Sequence, residues 1–442
     1  MGVLMQAFYW DCPREAGVEF AWWPHVTERL PALRAAGFTA LWLPPCNKAS
    51  NAASMGYDPY DYFDLGEFDQ RGRAETWFGK KADLVALVAR ARELGMQSYA
   101  DAVYNHMSGG EKEWNPDFNR EGWTRFRSAS GRFQPDYRAF HPSRFERWDN
   151  QTWGDMPDLC HHNPDVYRAL MDHADMLVRE IGFDGFRFDF VKGYGGWLVG
   201  AIMERQYVRD GKVVVPFGVA ESWSPEGEII NWLDRVNADT DNPIAAFDFP
   251  LRYRLKDLCD SLGFSLRRLA EPGTLSEARP QQAVTFVDNH DFRGGEASPI
   301  VSDKMLAYAF ILTHPGYPCV YWQDYFEFQL GRPGAPHGIA ALVTAHERFA
   351  GGDAVVRYVD DDLYIMERVG SDVAPGLVFV LNNRGDHWNG AFVDTSRAST
   401  GYRPVAWCGR DGTAPLPTGT APDRRGEFWA PPRGYAVYAP VG

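Results

Sequence analysis

The chain has 442 residues, 45% apolar and 24% charged, a length for two or three folded units or one large α/β barrel with additions. That composition excludes disorder and a collagen-like chain, and no apolar run approaches the roughly 18 residues that span a membrane. A formal net charge of −14 argues against a nucleic-acid partner and favours a neutral substrate or a bound cation.

The N-terminal MGVLMQAFYWD lacks the basic start, apolar stretch and small-residue cleavage site of a signal peptide. A cytoplasmic location is expected; the alternative is a sequence that begins after a removed signal. One module then recurs: an amphipathic helical stretch, a glycine, and a short strand. Val26, Leu30 and Leu33 precede Gly37 and ALWLPP, with Pro31 expected to kink that helix. Leu84, Leu87, Val88, Ala91 and Leu94 precede Gly95 and QSYADAV. Leu170, Leu177 and Ile181 precede Gly182 and FDGFRFDF, and 305–312 precede YPCVYW.

With QAFYW, FGVAE, AAFDFP and AVTFVDNHD, the alternation predicts eight parallel strands, a (β/α)8 TIM barrel. Barrel sequence is expected over 1–106 and 158–350. Between them, 107–157 reads as an inserted loop-rich domain after strand 3, of a length that is usually functional. From 351 to 442, short strands with Gly, Pro and Asp turns predict a C-terminal all-β sandwich domain. Six widely spaced cysteines without a C-x-x-C pair read as buried thiols. Aromatics reach 14%, rich in flat faces that suit sugars, although large cores account for most of them.

Barrel enzymes carry their reacting groups where strands end. Here Asp101, Asn105 and His106 follow strand three, and Arg187, Asp189 and Lys192 lie on or after strand four. Glu221 ends strand five, and His290 and Asp291 end strand seven. Each alone has a plainer role: a cap, an ion pair, a hydrogen-bonded core histidine. Those plainer roles do not explain why such residues end four strands of one barrel.

The segments DAVYNH (101–106), GFRFDFVKG (185–193), GVAESW (218–223) and FVDNHD (286–291) resemble, in order and spacing, the four signature regions of the α-amylase family of glycoside hydrolases. MPDL (156–159) and GYDPYDYFDLGEF (56–68) resemble two further family segments. The likeness covers nearly the whole chain and is greatest to the microbial and plant-like α-amylases, with some to maltotetraose-forming ones.

The resemblance implies retaining endo-hydrolysis of α-1,4-glucosidic bonds in starch, glycogen and maltooligosaccharides. It implies Asp189 as nucleophile, Glu221 as general acid/base and Asp291 as the third carboxylate. Arg187 would hold Asp189 ionised, a cation that Glu221 lacks in the sequence beside it. His106 and His290 would bind hydroxyls of the sugar at the cleavage point, Tyr57 would stack on that sugar, Lys192 would reach the next sugars, and Asp101 would orient the cluster. It also implies a Ca²⁺ held by Asn105, Asp158 and the Gly193 carbonyl, with Asp149 and Asp155 as guesses for the rest. After Asp291 the family usually has Thr; here Phe292 puts the neighbouring sugar subsites in doubt.

Cys160-His161-His162 has the residue types of a transition-metal site, but adjacent side chains diverge and the usual spacings are absent, so none is expected there. Rival readings are an exo-acting maltooligosaccharide-forming enzyme or a transglycosylase of the same family, and, outside that class, a non-catalytic glucan-binding relative. No nucleotide-binding glycine motif supports a cofactor-dependent barrel. The expected partner is an α-glucan, with no membrane or nucleic acid, and the protein is expected to be a monomer.

Overall fold

The computed structural model describes residues 2–13, 22–238, 240–295 and 297–441. Eight strands form a closed parallel barrel: β1 Leu4–Gln6, β2 Ala40–Leu43, β3 Gln97–Ala102, β4 Gly185–Phe188, β5 Phe217–Ala220, β6 Ala245–Phe247, β7 Ala283–Phe286 and β8 Tyr317–Tyr321. The strands neighbour one another in chain order, as (β/α)8 winding requires. β2 to β8 all begin within the expected segments. β1 does not: it is Leu4–Gln6, paired with Cys319–Tyr321, and the aromatic run after it leaves the sheet. Tyr9 and Trp10 instead make ring contacts, Tyr9 edge-on to Trp22 and Trp10 stacked on Tyr57 at 6.0 Å between centroids. Ring packing there overrides the strand preference of aromatics.

Helices follow the strands where the glycine-ended patterns place them: Trp22–Ala36, Lys81–Glu93, Pro164–Met176 and Lys304–Ile311. The first runs through Pro31 as one helix. Gly37, Gly95 and Gly182 all have positive φ, which explains glycine at each helix exit.

Contacts divide the chain into two compact units. One comprises Met1–Gln6, Leu33–Thr39 and Asp248–Gly442; the other comprises Ala7–Ala32 and Ala40–Phe247. The division therefore passes through the barrel rather than at residue 350. In the first unit, the C-terminal strands are Ala354–Val359, Leu363–Arg368, Leu377–Asn382, Asn389–Asp394, Gly401–Cys408, Thr418–Gly419, Arg425–Ala430 and Gly434–Pro440. Six form one sheet, while Asn389–Asp394 and Arg425–Ala430 form a second, antiparallel pair. Ile365, Val380 and Tyr438 from the large sheet and Val393 and Phe428 from the pair share one buried core. This β region is tied to barrel elements of its own unit. His314 and the Tyr364 hydroxyl lie 3.0 Å apart, and Arg433 donates to Asp303 at 2.7 Å.

In the second unit, the insertion holds an antiparallel hairpin, Glu111–Asn115 with Arg120–Arg125. Its two ends pair as well: Met107 N–H donates to Pro157 O at 3.0 Å and Leu159 N–H to Asn105 O at 2.9 Å. The insertion thus leaves and rejoins the barrel as a short two-stranded neck.

Candidate active site

The core of the site is set by strand register. In neighbouring parallel strands Asp101 of β3 lies opposite Arg187 of β4. Asp189, two residues after Arg187, falls on the same face. Glu221 follows β5, its N–H donating to Phe188 O at 2.9 Å. One buried guanidinium gathers all three carboxylates. Arg187 Nη1 donates to Asp101 Oδ1 and Asp189 Oδ1, each at 2.7 Å, and Nη2 lies 2.9 Å from Glu221 Oε2. The expectation that Glu221 lacks a cation holds only for its sequence neighbours; in space Glu221 shares Arg187 with Asp189. Phe190 N–H also donates to Glu221 Oε2, at 2.9 Å.

Burial works against the Arg187 charge, but Asp101, Glu221 and Asp189 outweigh it and hold the guanidinium firmly protonated. Burial pushes the Asp101 carboxyl up, opposed by Arg187, by the Tyr57 hydroxyl at 2.7 Å and by the Trp42 indole at 2.9 Å. Asp101 and Asp189 alone place two carboxylates against one cation, which leaves a negative excess in a nearly dry place. Such a pocket favours whatever positive charge develops inside it.

The other anticipated residues are placed as follows. Tyr57 is half-buried, its hydroxyl spent on Asp101 and its ring stacked with Trp10. His106 is buried; Nε2–H donates to Tyr57 O at 2.9 Å, so a sugar hydroxyl would have to share or displace that bond. Burial lowers its pKa and keeps the ring neutral. Lys192 Nζ donates to Trp223 O at 3.0 Å. In the first unit β7 ends at Phe286, so His290 and Asp291 belong to the loop after it. Gln6 Nε2 donates to His290 Nδ1 at 2.9 Å, which leaves the proton on Nε2, 3.4 Å from Asp291 Oδ2.

Asn105, Asp158 and Gly193 come together at the insertion's neck. Asn105 Oδ1 and Asp158 Oδ1 are buried without a hydrogen-bond partner. A Cβ on Gly193 would fall 1.9 Å from Asn105 Oδ1, so only glycine permits the approach. Burial, with Asp149 adding to it, pushes the Asp158 carboxyl up to about 8. Unpartnered buried oxygens and a carboxylate short of counter-charge fit a hard cation. Asp149 belongs to this cluster electrostatically, whereas Asp155 is exposed and makes no contact that would bring it in.

The family model described as the α-amylase catalytic domain matches residues 21–207. An α-amylase of Geobacillus stearothermophilus is 31% identical over 433 residues, covering 85% of this chain and 76% of its own. The chain belongs to the α-amylase family. Its members include the cytoplasmic α-amylase of Escherichia coli (strain K12), 28% identical over 87% of this chain and 88% of that one. A glucan 1,4-α-maltohexaosidase of Bacillus sp. (strain 707) is also 28% identical, over 90% and 85%. Two solved structures share the fold. The acarbose complex of Geobacillus thermoleovorans α-amylase has a TM-score of 0.71 at 18% identity, over 100% of this chain and 98% of that one. The cyclomaltodextrin glucanotransferase CldA has a TM-score of 0.72 at 20% identity, over 100% and 99%. As an α-amylase family glycoside hydrolase, the protein hydrolyses α-1,4-glucan.

Three residues that touch the anticipated ones within their own units escaped the sequence reading. Trp42 holds Asp101 by its indole N–H and lies under Arg187, 5.0 Å from guanidinium to ring. Trp10 backs Tyr57, and Gln6 sets the His290 tautomer. Only Gln6 left a signal, a polar side chain in an apolar strand. Phe292 is packed into its own unit. It is 5% exposed, with Arg252 3.6 Å above its ring and Phe286 and Tyr253 against it.

Proposed function

We propose that the protein is a retaining, endo-acting α-amylase, with Asp189 as nucleophile, Glu221 as general acid/base and Asp291 as third carboxylate. The observation that carries this reading is the single guanidinium that gathers Asp189 and Glu221 into one buried cluster. A retaining glycosidase needs its two carboxyl groups about 5–5.5 Å apart, with no room for a water between nucleophile and sugar.

In the first step a lone pair on the Asp189 carboxylate forms a bond to the anomeric carbon. The glycosidic C–O bond breaks, and the Glu221 proton passes to the leaving oxygen. In the second step Glu221 takes a proton from water, whose oxygen displaces Asp189 and restores the α configuration. The anomeric carbon is most positive between these states, and the negative excess around Arg187 favours it there. Trp42 and Tyr57 fix Asp101, and Asp101 fixes Arg187, so the nucleophile is oriented before substrate arrives.

A Ca²⁺ would be held by Asn105, Asp158 and the Gly193 carbonyl. When bound it neutralises Asp158 and braces the neck of the insertion; it supplies no bond-breaking step. The six free cysteines support a reducing, cytoplasmic location.

The test is the anomeric form of the first product, followed by NMR during digestion of a maltooligosaccharide. Retention requires α; a β product would overturn the nucleophile assignment. A time course on soluble starch separates the modes. Mixed lengths early mean endo-action, one short product means exo-action, and products longer than a short substrate mean transfer.

A further inference from the structure

Beside the neck of the insertion, a second cluster has different chemistry from the oxygen-lined group of Asn105, Asp158 and Gly193. Phe140 and Leu159 form an antiparallel bridge, with His141 N–H donating to Asp158 O at 2.9 Å and Cys160 N–H to Ala139 O at 2.8 Å. Alternation puts His141, Asp158 and Cys160 on one face of that pair. After His141 the chain turns back: Ser143 N–H donates to Glu146 O at 3.1 Å. A nitrogen of His141, the Cys160 sulfur and a Glu146 carboxylate oxygen all come within 4.8 Å of one another.

The His141 ring is prepared as a ligand. Its side chain is 1% exposed, and Nδ1 donates to Glu146 O at 3.1 Å, so the lone pair lies on Nε2. That Nε2 is buried with no hydrogen-bond partner, 4.0 Å from Glu146 Oε2. A buried nitrogen with a free lone pair beside a carboxylate and a thiol is the donor set of a metal ligand. His162 Nε2 stands 3.7 Å from the other Glu146 oxygen but outside the group of three, so a fourth ligand would come from solvent.

We propose that His141, Glu146 and Cys160 bind a thiophilic divalent cation, Zn²⁺ in preference to Ca²⁺, as a structural staple across the insertion. Nitrogen, sulfur and carboxylate together suit Zn²⁺, whereas Ca²⁺ takes oxygen alone. Closing on zinc, with bonds of about 2.0–2.3 Å, needs the three atoms to draw in by about 1 Å. On binding, the Cys160 thiol gives its proton to solvent and its sulfur lone pair to the metal. Consecutive residues do diverge here, since His161 Nε2 donates to Tyr104 O at 2.8 Å. The partners of Cys160 come from the other strand of the bridge, which sequence spacing does not reveal.

The test uses the full chain, stripped of metal and titrated with Co²⁺ in excess Ca²⁺. One equivalent should give a thiolate-to-cobalt charge-transfer band with the visible bands of a four-coordinate site, and one equivalent of Zn²⁺ should remove both. Cys160→Ser should abolish the charge-transfer band. Glu146→Ala, at a partly exposed side chain, should weaken Co²⁺ binding by about 10-fold or more while the chain stays folded. The proposal is overturned by a wild type without the band, by a band surviving Cys160→Ser, or by a band that Ca²⁺ displaces. If Cys160→Ser does not fold, unchanged affinity in Glu146→Ala overturns it equally.

Discussion

Two buried ion networks, one in each compact unit, look alike until their charges are counted. Arg187 faces Asp101 and Asp189, two carboxylates on one cation, with the acid Glu221 as a third carboxyl group. In the other unit Lys304 lies 2.9 Å from Asp288 and 2.5 Å from Asp324, and Arg252 donates to Asp288 at 2.6 Å, two carboxylates on two cations. Tyr308 closes that second network by donating to Asp324 at 2.6 Å. A balanced buried network satisfies itself and fixes geometry. An unbalanced one is costly to hold, and the cost makes sense where a positive charge is about to appear.

The difference makes substitution do opposite things in the two places. Glu221→Gln should keep the fold and glucan binding, because the neutral amide keeps the shape of the protonated acid. Its kcat should fall by about 10²–10⁴-fold, the usual contribution of a general acid/base. Steady-state kinetics on starch with calorimetric binding decide it, and near-normal turnover would move the acid role elsewhere. Lys304→Met should do the reverse. It leaves Asp288 and Asp324 short of a cation and should cost about 3–5 kcal/mol in urea unfolding. The folded enzyme should keep its kcat on starch. A loss of turnover comparable to Glu221→Gln would end the distinction between the networks.

This contrast also explains what the sequence made legible. Asp101, Arg187, Asp189 and Glu221 stand at strand ends, and strand order alone brings strand ends together, so their clustering could be read before the fold was known. Asp288 sits in the same FVDNHD run as His290 and Asp291, yet its partners, Arg252 and Lys304, lie on two helices. No local pattern announces that pairing. Trp42 and Trp10 were hidden for the related reason that an aromatic in or beside a strand reads as core. The eight strands were legible from their alternation with glycine-ended helices. The exit of the chain after Gln6 was not, because Phe8, Tyr9 and Trp10 carry the same preference for extended backbone whether or not a neighbour strand awaits them.

Asp158 is the intermediate case, an excess charge whose counter-ion is expected from solution. Its folded carboxyl is raised to about 8 against an ordinary value near 4. Without calcium the folded state therefore binds the proton more tightly than the unfolded chain, so its contribution to stability declines as pH rises between those values. Calcium binds the ionised form, so its stabilising effect should grow over the same window. At 100-fold excess over Kd a ligand adds about 2.7 kcal/mol. Thermal melts with calcium and with chelator, at about pH 5 and about pH 8, should show the larger gain at the higher pH. Asp158→Asn should flatten that pH dependence. A calcium response equal at both values, or one that Asp158→Asn leaves intact, would remove Asp158 from the site.

The smallest effect sharpens the boundary between the two networks. Phe292 follows Asp291 directly, so its sequence position suggests the sugar subsites. Its ring instead lies under Arg252, the cation that balances Asp288. Phe292→Leu keeps an apolar side chain in the same buried space but removes the ring face. The loss should be about 1 kcal/mol, the size of a cation–π contact plus an imperfect refill. The distribution of oligosaccharides released from starch should not change, because the side chain packs inward against Phe286 and Tyr253. Denaturation and product chromatography on the same preparation separate the two roles. If product lengths shift while stability holds, Phe292 shapes a subsite after all, and Arg252 with its carboxylate would belong to substrate recognition rather than to the scaffold.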